Sequence, residues 1–250
     1  MARMRRETWS WTSTRLPGPS AQPTARLSRW GHYGTPVLLF PSAGGDFEEV
    51  ERCHLISAIA PLIESGRIKV FSVDGVAAHA WLKGATPAQC AHAQLACEAF
   101  IHDEVLPHIR KDCHSDQIEL IAAGAAFGGF HSVAMLCRYP DVFRSAIAMS
   151  GTFDVSKLLR ADVTSDVDAV SPLHYLPHLD EGHRLTTLRR RFIQIASGEG
   201  EFEQPAQSRR LSEVLETRGV PNHLDLWGHR YSHGWSTWRA MLPKYLASLA

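Results

Sequence analysis

Three stretches of this 250-residue chain hold residue types at spacings that acyl transfer would need. The first is "GAAFGG", residues 124–129. The second, "RFIQIASGEGEFEQ", carries Glu199, Glu201 and Glu203 just past an apolar run. The third, "HLDLWGHRYSHGWSTWRAML", carries His229 and His233 ahead of a last helical pattern. Glycines two residues before and two after a strained position let a strand turn sharply into a helix. The helix then aims its N-terminal N–H groups at a substrate oxygen. The residue after the apex, here Phe127, would donate one backbone N–H to an oxyanion. An acid and then an imidazole, following in that chain order, would move the proton. The apex itself is Ala126, which has no hydroxyl, thiol or carboxylate. Two of the three reactive slots are filled and the attacking one is empty. A plainer reading, a tight strand-to-helix turn packed against a sheet, stays open for "GAAFGG" taken alone.

These groups can meet only if strand tips bring them to one edge. Residues 8–16 and "TARLSRWG" alternate in polarity around the turn signal "PGPS" and predict an N-terminal antiparallel hairpin. Short apolar runs then alternate with helical patterns. Strands are predicted at 37–40, in "RIKVFSVDG", in "QIELIAAG", "SAIAMSG", "RFIQIASG" and "HLDLWG". Helices are predicted over "FEEVERCHLISAIAPLIESG", over 87–110, and in "FHSVAMLCRYP", "SRRLSEVLETRG" and "WSTWRAMLPKYLASLA". That rhythm predicts one α/β domain over 1–250, a mostly parallel sheet with helices on both faces. Residues 153–187 break it with a long Pro- and His-containing excursion, read as a lid or cap. Ligands of open α/β sheets bind at the carboxyl ends of the strands, where all three slots fall.

Composition narrows the function classes. Lys+Arg and Asp+Glu both number 26, which argues against phosphate-driven nucleic-acid binding and gives no reason for an anionic membrane partner. No apolar run reaches spanning length. The N-terminus has basic residues but no apolar segment of the secretory kind. Five cysteines, an odd number, suit a reduced, cytoplasmic protein. A homo-oligomer is left open. Ser42, Ser150, Ser232 and Cys137 are other nucleophile candidates, and each reads better as structural. His229 and His233 have helical metal-ligand spacing, but Gly228 and Gly234 predict a loop and no third ligand is evident, so neither metal nor cofactor is expected. His131, shortly after the turn, reads as a buried hydrogen-bonded histidine or as a site neighbour. Trp81 reads equally as pocket wall or as core.

With these motifs in hand, the chain resembles the putative-esterase branch of the α/β-hydrolases, the group of esterase D-like and feruloyl-esterase-like enzymes. The resemblance runs from about Trp30 to Leu246 and rests on "GTPVLLFPSAGGDFEE", "GAAFGGFHSVAMLCRYPDVFRSAIAMSGTFD", "GEGEFE" and "WGHRYSHGWSTWRAMLPKYL". It implies carboxylic ester hydrolysis of a small-molecule substrate. It puts the nucleophile position on Ala126 and the histidine on His233. The acid falls within 199–203, with Glu201 fitting the spacing best and Glu199 and Glu203 as alternatives. The first oxyanion loop falls on "FPSAGG", with Ala43 as donor and Ser42 beside it. Gly234 stands where close relatives commonly carry an acid. Three accounts of Ala126 follow: an engineered Ser-to-Ala change in a working esterase, a natural non-catalytic fold that binds a small molecule or a protein, or an enzyme in which His233 activates water directly.

Overall fold

The computed structural model describes residues 6–13, 24–75, 81, 85–158 and 165–250. Polarity that alternates along the chain becomes strands wet on one face. β1 (Glu7–Thr12) alternates half-buried and exposed positions, and β2 (Thr24–Trp30) pairs with it antiparallel. The "PGPS" turn between them lies outside the described residues, as does the loop around Trp81 apart from that residue. Continuous apolar runs become strands covered on both faces: β3 (Thr35–Phe40), β4 (Ile68–Val73), β5 (Leu120–Ala125), β6 (Phe143–Met149) and β7 (Phe192–Ser197), with β8 (Asn222–Leu226) at the far edge. The sheet order is β1-β2-β4-β3-β5-β6-β7-β8. Pairing is antiparallel up to β2–β4 and parallel from there on. This is the mostly parallel sheet with an N-terminal hairpin that the sequence predicts.

Side chains of β5 alternate between two cores, as the two-residue period of a strand requires. Leu120 and Ala122 join Phe100, Val133, Leu136, Leu211 and Leu215 on one face. That face is covered by α1 (Pro87–Phe100), α2 (Phe127–Arg138) and α3 (Pro205–Thr217). Ile121, Ala123 and Ala125 join Val50, Leu55, Ile59, Trp238, Met241 and Leu246 on the other. There the cover is α4 (Trp235–Leu249) and the short helical segments between residues 49 and 64.

Two helices differ from the sequence reading, and proline figures in both. The single helix expected before β4 is three pieces, Glu49–Arg52, Leu55–Ala58 and Ala60–Glu64. His54 adopts the left-handed region (φ 59°) and Pro61 has no N–H to return to the preceding turn. The long helix after residue 87 runs α, then a π turn at Ile101–Val105, then α again at Leu106–Asp112. Pro107 in its last part removes a further ladder bond, and the wider turn just before it absorbs the mismatch. The described part of the excursion is packed rather than loose. Val155, Val167, Val170, Leu176 and Leu185 are all inaccessible to solvent, and Arg138 and Arg184 both lie over the Tyr175 ring, at 5.9 and 4.9 Å. No helix among the described residues is long and apolar enough to cross a membrane.

Candidate active site

β5 ends at Ala125 and α2 begins at Phe127, so one residue makes the whole turn. Ala126 does it at φ 52°, ψ −117°, a conformation that costs a non-glycine residue roughly 1–3 kcal/mol. The surroundings hold it there. Its N–H donates to the Met149 carbonyl (3.0 Å), and its own carbonyl accepts from the N–H groups of Gly129, Phe130 and Thr152 (3.1, 3.3 and 3.1 Å). The two flanking glycines are required by contact. A Cβ on Gly124 would sit 2.4 Å from the Gly128 carbonyl group, and one on Gly128 would sit 2.4 Å from the Phe40 oxygen. The same closeness presses the start of α2 against the backbone that leads into the loop of residues 41–45.

That loop is held from one side. The Ser42 N–H and Oγ both donate to the Glu49 carboxylate, at 2.7 and 2.6 Å, and Gly45 N–H closes a turn onto the Ser42 carbonyl at 3.0 Å. Ser42 is thereby occupied. Ala43 is exposed. Among the described residues, none accepts from the Ala43 N–H or the Phe127 N–H. Two backbone donors are left at one strand edge.

The acid and imidazole loops run side by side. Glu199 N–H donates to Gly228 O (3.1 Å), Gly200 N–H to Tyr231 O (3.0 Å), and His233 N–H to Glu201 O (3.0 Å). The Glu201 N–H donates to Ser232 Oγ at 3.1 Å. Gly198 has to be glycine, because a Cβ there would lie 1.8 Å from the Tyr231 oxygen. Glu203, not Glu201, turns its carboxylate inward. The Glu203 side chain is 1% exposed and its Oε2 lies 3.7 Å from His233 Nδ1, whereas Glu201 is exposed and touches the histidine loop through its backbone. The reason is the intervening bend. Phe202 takes φ 63°, which a count of positions after the strand does not foresee, and shifts the inward-facing position by two residues. Glu199 pairs at 3.6 Å with Arg209 on α3, and His229 Nδ1 bonds the Glu199 carbonyl at 3.0 Å. The two histidines thus face different partners.

Burial alone would raise the Glu203 carboxyl. The imidazole of His233 facing it, with hydrogen bonds from Ser150 Oγ (2.6 Å to Oε1) and Ser197 Oγ (3.2 Å to Oε2), outweighs that and holds Glu203 below the usual glutamate range. The separation from His233 is longer than a hydrogen bond, as unliganded pairs of this kind often are. His233 also meets the edge of Trp238, ring centroids 5.1 Å apart.

The remaining sequence candidates sit around the turn. Trp81 is 3% exposed and edge-on to Phe127 at 6.1 Å. His131 packs on Phe127 and Phe40, at 4.7 and 5.8 Å, and its Nδ1 is 3.2 Å from Gln94 Nε2. Burial lowers its pKa to about 3, so it is neutral. Cys137 lies at the far end of α2, its thiol pushed up to about 12 by burial. Three neighbours of Glu203 and His233 go beyond the sequence expectation, in which Ser150 is only a candidate attacker and Ser197 and Trp238 have no place beside Glu203. The available signal was position, since Ser150 and Ser197 end adjacent strands at the edge where Glu203 arrives.

A cavity of about 820 Å³ lies at the opposite edge, by the first residues of β3 and β4, lined by Arg67, Lys69, Asp112 and Arg144 among others. Its cations are committed to structure. Lys69 bonds the Asp112 carbonyl at 2.8 Å, Arg67 bonds the Ala247 carbonyl at 2.7 Å, and Arg144 bonds the Leu249 carbonyl. The geometry for chemistry is at the other end of the sheet.

The sequence matches the family described as "Putative esterase" over residues 33–249. No curated protein sequence matches. Among solved structures, a ferulic acid esterase superposes with a TM-score of 0.69 at 17% identity, covering 98% of this chain and 97% of that one. An S-formylglutathione hydrolase from Agrobacterium tumefaciens gives 0.69 at 15% identity, with 97% and 93% covered. MPT51 (FbpC1) of Mycobacterium tuberculosis gives 0.67 at 15% identity, with 94% and 95% covered. At such identities the structures speak for the fold, and the family match speaks for descent: the chain belongs to the putative-esterase family of the α/β-hydrolases.

Proposed function

We propose that this chain is a carboxylic-ester hydrolase scaffold that holds an ester or related small molecule and, as written, does not turn it over. Glu203 and His233 are its proton-transfer pair, Ala43 and Phe127 its oxyanion donors, and Ala126 fills the place of the attacking serine. The observation that carries the reading is the pairing of a held, strained apex at Ala126 with a buried carboxylate facing an imidazole across the neighbouring strand tips.

The chemistry of a serine-bearing chain follows from the geometry. His233 meets Glu203 through Nδ1, which leaves Nε2 to take the hydroxyl proton as the oxygen attacks the ester carbonyl. The tetrahedral oxyanion forms against the two backbone N–H groups. The alcohol leaves with the proton that Nε2 returns, and water repeats the sequence to free the acid. In the chain as written the first step has no attacking oxygen. Losing such a serine costs on the order of a million-fold, with only binding and oxyanion contributions remaining. Substrate choice is assigned to residues 153–187 and to the Trp81 neighbourhood. The odd number of cysteines supports a reducing compartment.

The test is Ala126→Ser with short-chain aryl esters. We expect hydrolysis to rise by at least roughly a thousand-fold over the parent. A folded Ala126→Ser protein with no activity above the parent overturns the esterase reading. It would favour a second reading, a non-catalytic binder, which the two free N–H donors beside an apolar apex support.

A further inference from the structure

We propose that Ser150 and Trp238 are positioning residues that hold the Glu203–His233 pair in register, closing a ring of four side chains drawn from four parts of the chain. This rests on the reading of Glu203 and His233 as the proton-transfer pair.

Ser150 follows β6, the strand beside the turn, and takes φ 47°, a left-handed conformation unusual for serine. Two backbone anchors keep it there: its own N–H donates to the Ala196 carbonyl at 2.7 Å, and its neighbour Met149 accepts from the Ala126 N–H. The strained backbone delivers the hydroxyl to Glu203 Oε1 at 2.6 Å. A hydroxyl has one proton, and this one goes to the carboxylate. Its lone pair then accepts from Trp238 Nε1 at 3.0 Å, a bond that is itself buried. The indole that donates to Ser150 also presents its ring to His233. Trp238 therefore touches the imidazole directly and the carboxylate through Ser150, so one indole bears on both members of the pair.

Direction matters as much as distance. With the Ser150 proton on Oε1, Oε2 is left for His233 Nδ1, shared only with the weaker Ser197 contact at 3.2 Å. A carboxylate accepting at Nδ1 selects the imidazole tautomer that carries its proton there and keeps Nε2 open. Networks of this kind act as units, so removing one member removes most of what the others contribute.

The experiment has two arms. In the chain as written, side-chain ¹⁵N spectra of His233 report its tautomer without any turnover. We expect the Nδ1–H form to dominate, and to give way toward the Nε2–H form in both Ser150→Ala and Trp238→Phe. Trp238→Phe keeps a ring against His233 and removes only the donor. In the Ala126→Ser background, each change should lower kcat about tenfold with KM unchanged, and the double variant should lose little more than either single one. An unchanged tautomer in both variants, or losses that multiply or fall on KM, overturns the proposal. If Ser150→Ala fails to fold, Trp238→Phe decides alone. If Ala126→Ser shows no activity the esterase reading fails, and the spectra still decide the positioning role.

Discussion

The two halves of the site are built by different physics. The turn at Ala126 is a product of the core. Every residue of β5 is buried, every residue of α2 but its last is buried, and the glycines interlock backbone against backbone. The Glu203–His233 half is assembled at the rim, from two loops joined by backbone bonds and from the side chains of Ser150, Ser197 and Trp238. Its imidazole is 29% exposed. Packing would preserve the turn whether or not anything reacts there, because alanine and serine differ by one hydroxyl. Nothing in the packing calls for a carboxylate at 203, and burying one is costly without partners. The rim half is therefore the informative half about function, and the core half is the informative one about fold.

The largest expected effect tests the rim. In the Ala126→Ser protein, Glu203→Gln should lower kcat by roughly 10⁴-fold, the size of the loss when a triad acid is removed. Glu201→Gln should leave kcat within a few-fold, since the Glu201 side chain is exposed and only its backbone meets the histidine loop. Steady-state kinetics on one aryl ester checks both. Equal losses, or a larger loss at Glu201, would return the acid role to the residue that the sequence spacing favours.

A smaller effect, on stability, tests the core half. Gly124→Ala places a methyl 2.4 Å from the Gly128 carbonyl group, which is backbone and cannot step aside. We expect a loss of roughly 3 kcal/mol in urea unfolding. Gly182→Ala is the control, because a Cβ there meets nothing within 4 Å and the backbone is extended. It should fall within about 0.5 kcal/mol of the parent. If Gly124→Ala is as mild as Gly182→Ala, the turn is adaptable and the contrast between the halves collapses.

The same contrast explains what could be read from the sequence. The strands that end at the site edge were legible, because buried parallel strands advertise themselves as apolar runs. The turn was legible from Gly124 and Gly128 for the same reason, a backbone constraint written in residue type. Which of the three glutamates faces inward was not, since Glu199, Glu201 and Glu203 are chemically identical and the chain between them bends through a left-handed residue, Phe202. The breaks at His54 and Pro61 show the reverse case: the apolar period was real, and a local backbone choice cut it. Ser150 and Trp238 were invisible as partners because their contacts join residues 88 positions apart in sequence.

The smallest effect concerns His131, which lies beneath the turn and is absent from the rim. Burial lowers its pKa to about 3, against an ordinary value of 6.5 when unfolded. Below pH 6.5 the unfolded chain takes up a proton that the folded chain refuses, so stability falls as pH falls from there toward 3. One such proton amounts to about 2 kcal/mol between pH 6.5 and 5. His131→Phe, among Phe40, Phe127 and Phe130, should remove that slope. Gln94 reaches both His131 and Glu98, and Glu98 is paired with Arg138. Burial raises the Glu98 carboxyl against the pull of Arg138, so its contribution runs the other way, lost as pH rises above the ordinary glutamate value. Glu98 and Arg138 are present in both proteins, and the difference between the two urea-unfolding series across pH isolates the histidine. Parallel pH profiles for parent and His131→Phe would mean that His131 takes up its proton in place, and that the floor beneath the turn is wetter and looser than the core half requires.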